Sequence, residues 1–154
     1  MRVALFVTCL VDQLFPEVAE ATVAVLRRCG VDVEFPADQT CCGQIAFNDG
    51  FWPPARTLAQ RHLEVFESAD AVVTPSGSCA AMVREFYPVL FGDTPALTQR
   101  AREAGHRTYE LTEFLVNVLH RDEVGARFPH RVTYHASCHG LRALGVREIG
   151  RAHV

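Results

Sequence analysis

Two adjacent cysteines followed by a glycine, Cys41-Cys42-Gly43, lie between two further cysteines, Cys9 and Cys79. Three chemistries suit such a set. Iron–sulfur clusters are held by cysteine thiolates, usually four. Zinc can take the same four sulfurs. A vicinal pair can also exchange with disulfides. Spacing alone leaves all three open. Gly43 lets the backbone take a positive φ beside the bulky pair. Cys79 is expected to open a helix, where free N–H groups stabilise a thiolate. Gly77 and Ser78 would let the preceding turn approach a cluster closely, with Ser76 and Ser78 as hydrogen-bond donors to sulfur. Cys29 sits on an apolar helical stripe and reads as a small core residue. His135 and His139 flank Cys138 and read either as ligands or, at least as well, as polar groups at a strand end. His62, His106, His120 and His130 read as helix-face or surface residues, and Phe51 and Trp52 as cover over the site.

Composition narrows the setting. With 154 residues and an apolar fraction of 49%, the chain can bury an ordinary single-domain core. Fifteen basic side chains stand against eighteen acidic ones, and no Lys or Arg run suggests a nucleic-acid partner. No apolar stretch approaches the roughly 20 residues of a membrane span. The start, Met1 to Val7, is apolar but short and reads as a first strand rather than a leader. A cytoplasmic location follows, where thiols stay reduced and six cysteines serve as ligands or redox groups rather than structural disulfides. No glycine-rich phosphate loop and no Ser-His-Asp arrangement is visible.

Strands alternating with helices must position these thiols. Arg2 to Thr8, Val31 to Phe35 and Ala71 to Thr74 read as buried strands, with Thr108 to Glu110 and Arg131 to His135 as further ones. Helices are expected from Pro16 to Gly30, with Val18, Ala21, Thr22, Val25 and Cys29 inward, and from Pro53 to Ser68, with Ala55, Leu58, Ala59, His62 and Phe66 inward. More follow from Cys79 to Tyr87, from about Pro95 to Ala104, and from Leu111 to His120. A loop is expected from Cys41 through Gly50. The pattern predicts an α/β fold with a mostly parallel sheet flanked by helices. Ligands of such sheets gather at the carboxyl ends of the strands. Cys9, Cys79 and Cys138 each follow a predicted strand, and Cys41-Cys42 lie in the loop after another. One sheet edge should therefore collect them all. Leu5 to Leu10 has an echo in Val132 to His139, a weak internal repeat.

Phe6-Val7-Thr8-Cys9-Leu10-Val11-Asp12, Cys41-Cys42-Gly43-Gln44, Pro75-Ser76-Gly77-Ser78-Cys79 and His135-Ala136-Ser137-Cys138-His139 together resemble the cysteine-rich CCG-domain iron–sulfur family. That family includes the B subunit of heterodisulfide reductase and the iron–sulfur subunit of glycolate oxidase. The resemblance runs to about Glu148. It implies two pseudo-repeated halves. Residues 1–128 would be the first, 129–148 the start of a second, and 149–154 a non-native tail. It implies Cys9, Cys41, Cys42 and Cys79 as ligands of a cluster of the [4Fe-4S] type, zinc being the alternative, and Cys138 as the first ligand of a second, incomplete site. Met82 stands where the family's last cysteine of the first motif would be, and is expected to pack rather than ligate. The implied function is an iron–sulfur electron-transfer subunit of an L-lactate oxidising system that yields pyruvate. Its partner subunits would include a ferredoxin-type iron–sulfur protein. A heterodisulfide reductase-like thiol–disulfide protein and a zinc-stabilised module are the alternatives.

Overall fold

A computed structural model describes residues 2–133, 135 and 137–146. The chain forms a four-stranded, all-parallel sheet with helices on both faces. The strands are β1 (Arg2–Leu5), β2 (Asp32–Glu34), β3 (Ala71–Thr74) and β4 (Thr108–Glu110), in the order β2-β1-β3-β4. Val3 pairs with Val33 on one side and Ala71 on the other, and Val73 pairs with Tyr109.

Alternation along the strands builds two cores, because successive strand side chains point to opposite faces. Ala4, Phe6 and Val72 join Ala55, Ala59, Leu63, Phe66, Met82, Tyr87 and Ala101 on one face. Val3, Ala71 and Val73 join Leu26, Val31, Phe114 and Leu115 on the other. The first face is covered by α4 (Trp52–Val65), α6 (Tyr87–Leu90) and α7 (Pro95–His106). The second is covered by α2 (Pro16–Arg28) and the stretch from Leu111 to Val118. Proline falls in the first turn of α2, α4 and α7, where its missing N–H costs nothing.

Several expectations need correction. β1 ends at Leu5, although Phe6 N–H still donates to the Val73 carbonyl (2.9 Å). Two short helices, α1 (Cys9–Leu14) and α3 (Gln44–Asn48), occupy stretches with no helical period long enough to read; α3 replaces part of the expected loop. In α2 the buried positions are Thr22 and Leu26, with Ala19 and Val23 beside them, while Val18 and Ala21 are exposed. Apolar residues surround much of that helix, so its own sequence does not choose the face that meets the sheet. The helix begun by α5 (Gly77–Ala81) widens to a π-helical turn at Met82–Phe86 before α6. The helix beginning with α8 (Leu111–Glu113) continues as a π turn at Phe114–Val118. Residues 131–133 and 135 are not strand: among the described residues no neighbouring strand pairs with them, and a lone strand leaves its backbone groups unsatisfied. Instead Cys138 leads into a π turn, His139–Ala143, packed against α5. The expected tail, 149–154, lies outside the described residues.

Candidate metal centre

The strand order reverses between β1 and β3, because the chain places β2 on one side of β1 and then β3 and β4 on the other. Connections leaving β1 and β3 diverge there, opening a crevice at their carboxyl ends. Cys9, just past β1, and Cys79, just past β3, enter this crevice, and Cys41-Cys42 arrive from the loop after β2. Cys9 and Cys41 Sγ are 3.5 Å apart, and Cys42 and Cys79 Sγ are 3.4 Å apart. All four cysteines are free thiols.

Local structure holds each sulfur. Thr8 Oγ1 accepts from Val11 N–H (3.3 Å) and so caps α1 directly before Cys9. Ser76 Oγ accepts from Cys79 N–H (3.4 Å) and caps α5; it also lies 3.2 Å from Ser78 Oγ. Cys79 is thus the third residue of its helix rather than the first. Gly43 has φ +82°, and a Cβ there would stand 3.4 Å from both the Ala55 carbonyl and Leu58 Cβ. The left-handed backbone is what calls for glycine, since a Cβ there would make only ordinary contacts. Its N–H points to Cys41 Sγ at 3.4 Å. Gly77 approaches Gly140, so the turn before α5 meets the segment after Cys138 rather than open space.

Three residues with no assigned role in the sequence tie these loops together. Gln39 accepts from Val7 N–H (2.7 Å) and donates to the carbonyls of Leu5 (3.2 Å) and Pro36 (2.9 Å). It clamps the segment leading to Cys9 onto the segment leading to Cys41. Gln44 Nε2 donates to the Ser78 carbonyl (3.1 Å) and lies 3.4 Å from His139 Nε2. Tyr87, fully buried, donates its hydroxyl to the Cys42 carbonyl (3.0 Å). Periodicity marks Tyr87 only as a helix residue, and nothing local marks Gln39 as a clamp, because Leu5 and Val7 reach it from the first strand and the segment just past it.

His62 lies on the inward helix face expected for it and is not a surface residue. It is buried on α4 against Phe6, Phe66 and Tyr87, and its Nε2 has no partner. Burial, and then the Arg107 charge, lower its pKa to about 3, so it is neutral. Met82 is fully buried in the core. Cys29 is half-buried beside the second core, as expected. Phe51 and Trp52 are exposed, with Trp52 stacked on Phe47.

Electrostatics divides the thiols by proton. The Cys42 S–H, bonded to its neighbours and buried, has its pKa driven far up. That same S–H is the main reason Cys41 falls to about 5 and Cys79 to about 7, with the Gly43 N–H helping the former and Ser76 and Ser78 the latter. Burial raises Cys9. The buried Cys42 S–H thus favours the thiolate form of each neighbour, while a charge on Cys41 opposes one on Cys79. Cys138 is exposed and stands in no thiol pair among the described residues; His135 is exposed as well.

The model of the "Cysteine-rich domain" (CCG) family matches residues 3–84, which carry all four paired thiols. Lactate utilization protein A of Geobacillus thermodenitrificans (strain NG80-2) is 50% identical over 149 residues, covering 97% of this chain and 62% of that protein. The protein of the same name from Exiguobacterium sp. is 52% identical over 147 residues, 94% of this chain and 60% of its own length. Lactate utilization protein A 2 of Bacillus cereus (strain Q1) is 44% identical over 148 residues, 96% of this chain and 61% of its own. The chain thus spans 60–62% of the length of these relatives. A match through β1 to β3, the CCG turn and α5 means that this chain belongs to the cysteine-rich CCG-domain family.

Proposed function

We propose that Cys9, Cys41, Cys42 and Cys79 hold an iron–sulfur cluster of the [4Fe-4S] type, and that the chain is the cluster-carrying part of a system oxidising L-lactate to pyruvate. The observation that carries this reading is the gathering of four free thiols from three separate loops at the crevice between β1 and β3. A single tetrahedral zinc needs four donors around one point. Sulfurs paired at 3.5 Å and 3.4 Å suit zinc as well as a cluster, and the match to the cysteine-rich CCG family favours the cluster. The names of the relatives supply lactate.

Such a cluster, when bound, supplies one-electron transfer at a potential tuned by hydrogen bonds to sulfur and by exposure. The chain's own part is to place the sulfurs and shield them. Gln39 and Gln44 fix the loops, Tyr87 fixes the CCG turn, and Met82 packs behind it. Among the described residues no helix is long and apolar enough to cross a membrane. Substrate oxidation would involve partner subunits, a ferredoxin-type iron–sulfur protein among them, in the cytoplasm. Cys138 is assigned to a second site and not to this one.

The test is iron, zinc and acid-labile sulfide content after anaerobic purification. About four irons and four sulfides per chain are expected, lost in Cys41→Ala and kept in Cys138→Ala. Zinc without sulfide would overturn the cluster, and unimpaired growth on lactate after gene deletion would overturn the pathway.

A further inference from the structure

The two thiol pairs have nearly equal sulfur separations but unequal access. Cys42 and Cys79 are 3% and 6% exposed. Cys9 and Cys41 are half-buried and line a cleft of about 200 Å³, walled by Phe35, Gln13 and Thr40. We propose that in the metal-free chain Cys9 and Cys41 form a reversible disulfide by reaction with low-molecular-weight disulfides of the oxidised-glutathione class. This goes beyond the cluster reading and holds whichever metal group the site carries.

The reaction balances as two exchanges. Cys41 Sγ attacks as the thiolate one sulfur of the incoming disulfide, breaks its S–S bond and releases one small thiolate, which takes a proton from water. Cys9 Sγ, 3.5 Å away, then attacks Cys41 Sγ in the mixed disulfide and releases the second thiol with the Cys9 proton. Two cysteines are oxidised and one small disulfide is reduced to two thiols. From 3.5 Å the sulfurs need to close by about 1.5 Å to reach bonding distance. Gln39 keeps the two loops together with no metal present, through side-chain bonds to Leu5, Val7 and Pro36.

The competing pairings are blocked for different reasons. Cys42 faces Cys79 inside the core, where no small disulfide reaches. A vicinal Cys41–Cys42 bond would distort a turn pinned by the Tyr87 hydroxyl on the Cys42 carbonyl and by the left-handed Gly43. The Cys9–Cys41 bond would protect both accessible sulfurs from irreversible oxidation.

The full chain, with its metal content measured first, is stripped by a chelator without air and treated with oxidised glutathione. Remaining thiols are then alkylated and the chain is cut with trypsin. Cys9 falls in the peptide Val3–Arg27, Cys29, Cys41 and Cys42 in Cys29–Arg56, and Cys79 in His62–Arg84. The expected product joins Val3–Arg27 to Cys29–Arg56, reverts with dithiothreitol, is lost in Cys41→Ser and persists in Cys42→Ser. A bond confined to Cys29–Arg56, a bond from it to His62–Arg84, or glutathione adducts alone would overturn the proposal. Backbone fragment ions of the joined peptides from the unsubstituted chain tell Cys41 from Cys29 and Cys42 even if a variant does not fold, and a bond from Cys9 to either of those would also overturn the proposal. The metal content measured beforehand reports separately on the cluster.

Discussion

Cys9–Cys41 and Cys42–Cys79 are set at 3.5 Å and 3.4 Å, yet they are held by different forces. The first pair stands at a cleft mouth and depends on polar clamps: the Thr8 cap, the Gly43 N–H and the three bonds of Gln39. The second pair lies in the core and depends on packing: Met82 and Phe6 fully buried, and Tyr87 wedged between His62 and the CCG turn. Identical side chains thus acquire different chemistry from what stands behind them. Water competes with hydrogen bonds at the open pair, whereas at the closed pair any lost atom leaves a void or an unsatisfied polar group.

Acid should break this comparison most strongly. His62 titrates near 6.5 when unfolded and about 3 when folded. As pH falls below 6.5 the unfolded chain binds the proton first. The stability due to neutral His62 is therefore complete above that value and lost progressively toward pH 3, by about 1.4 kcal/mol per pH unit. Denaturant unfolding across this range should show the slope, and His62→Phe should remove that part of it. Met82→Ala comes next, at about 2–5 kcal/mol from the cavity it leaves, read as a lower unfolding midpoint. Normal stability with lost iron would instead make Met82 a ligand and erase the contrast between packing and ligation. Gln39→Ala should cost about 1–3 kcal/mol by orphaning groups between the two loops. It should also speed alkylation of Cys9 and Cys41 in the metal-free chain while leaving Cys42 slow. Tyr87→Phe should cost about 1 kcal/mol with the reverse signature, faster alkylation at Cys42 and none at Cys9. If each variant exposed all four thiols alike, the pairs would not be independently supported.

Much of this was legible beforehand. The run Ala71–Thr74 is short, apolar and bounded by turn residues, and it is β3 to the residue. The inward face of α4 through Ala55, Ala59, His62 and Phe66 also reads directly, because charged residues mark its other side. The inward face of α2 does not, since Val18 and Ala21 satisfy the same period as Ala19 and Val23 and only docking on the sheet separates them. The run Arg131–His135 has strand composition, yet residues 131–133 and 135 pair with nothing among the described residues, because composition offers a strand but only a neighbour completes its hydrogen bonds.

The four thiols themselves, their glycine and the α/β alternation are properties of the sequence, since residue type and period are local. The parallel β2-β1-β3-β4 order was decided by the tertiary structure, and it turned thiols far apart in the chain into neighbours at one crevice. So was the division into an open and a closed pair. Burial depends on which distant side chains arrive, and Gln39, Tyr87 and His62 act on the site only through contacts the fold creates.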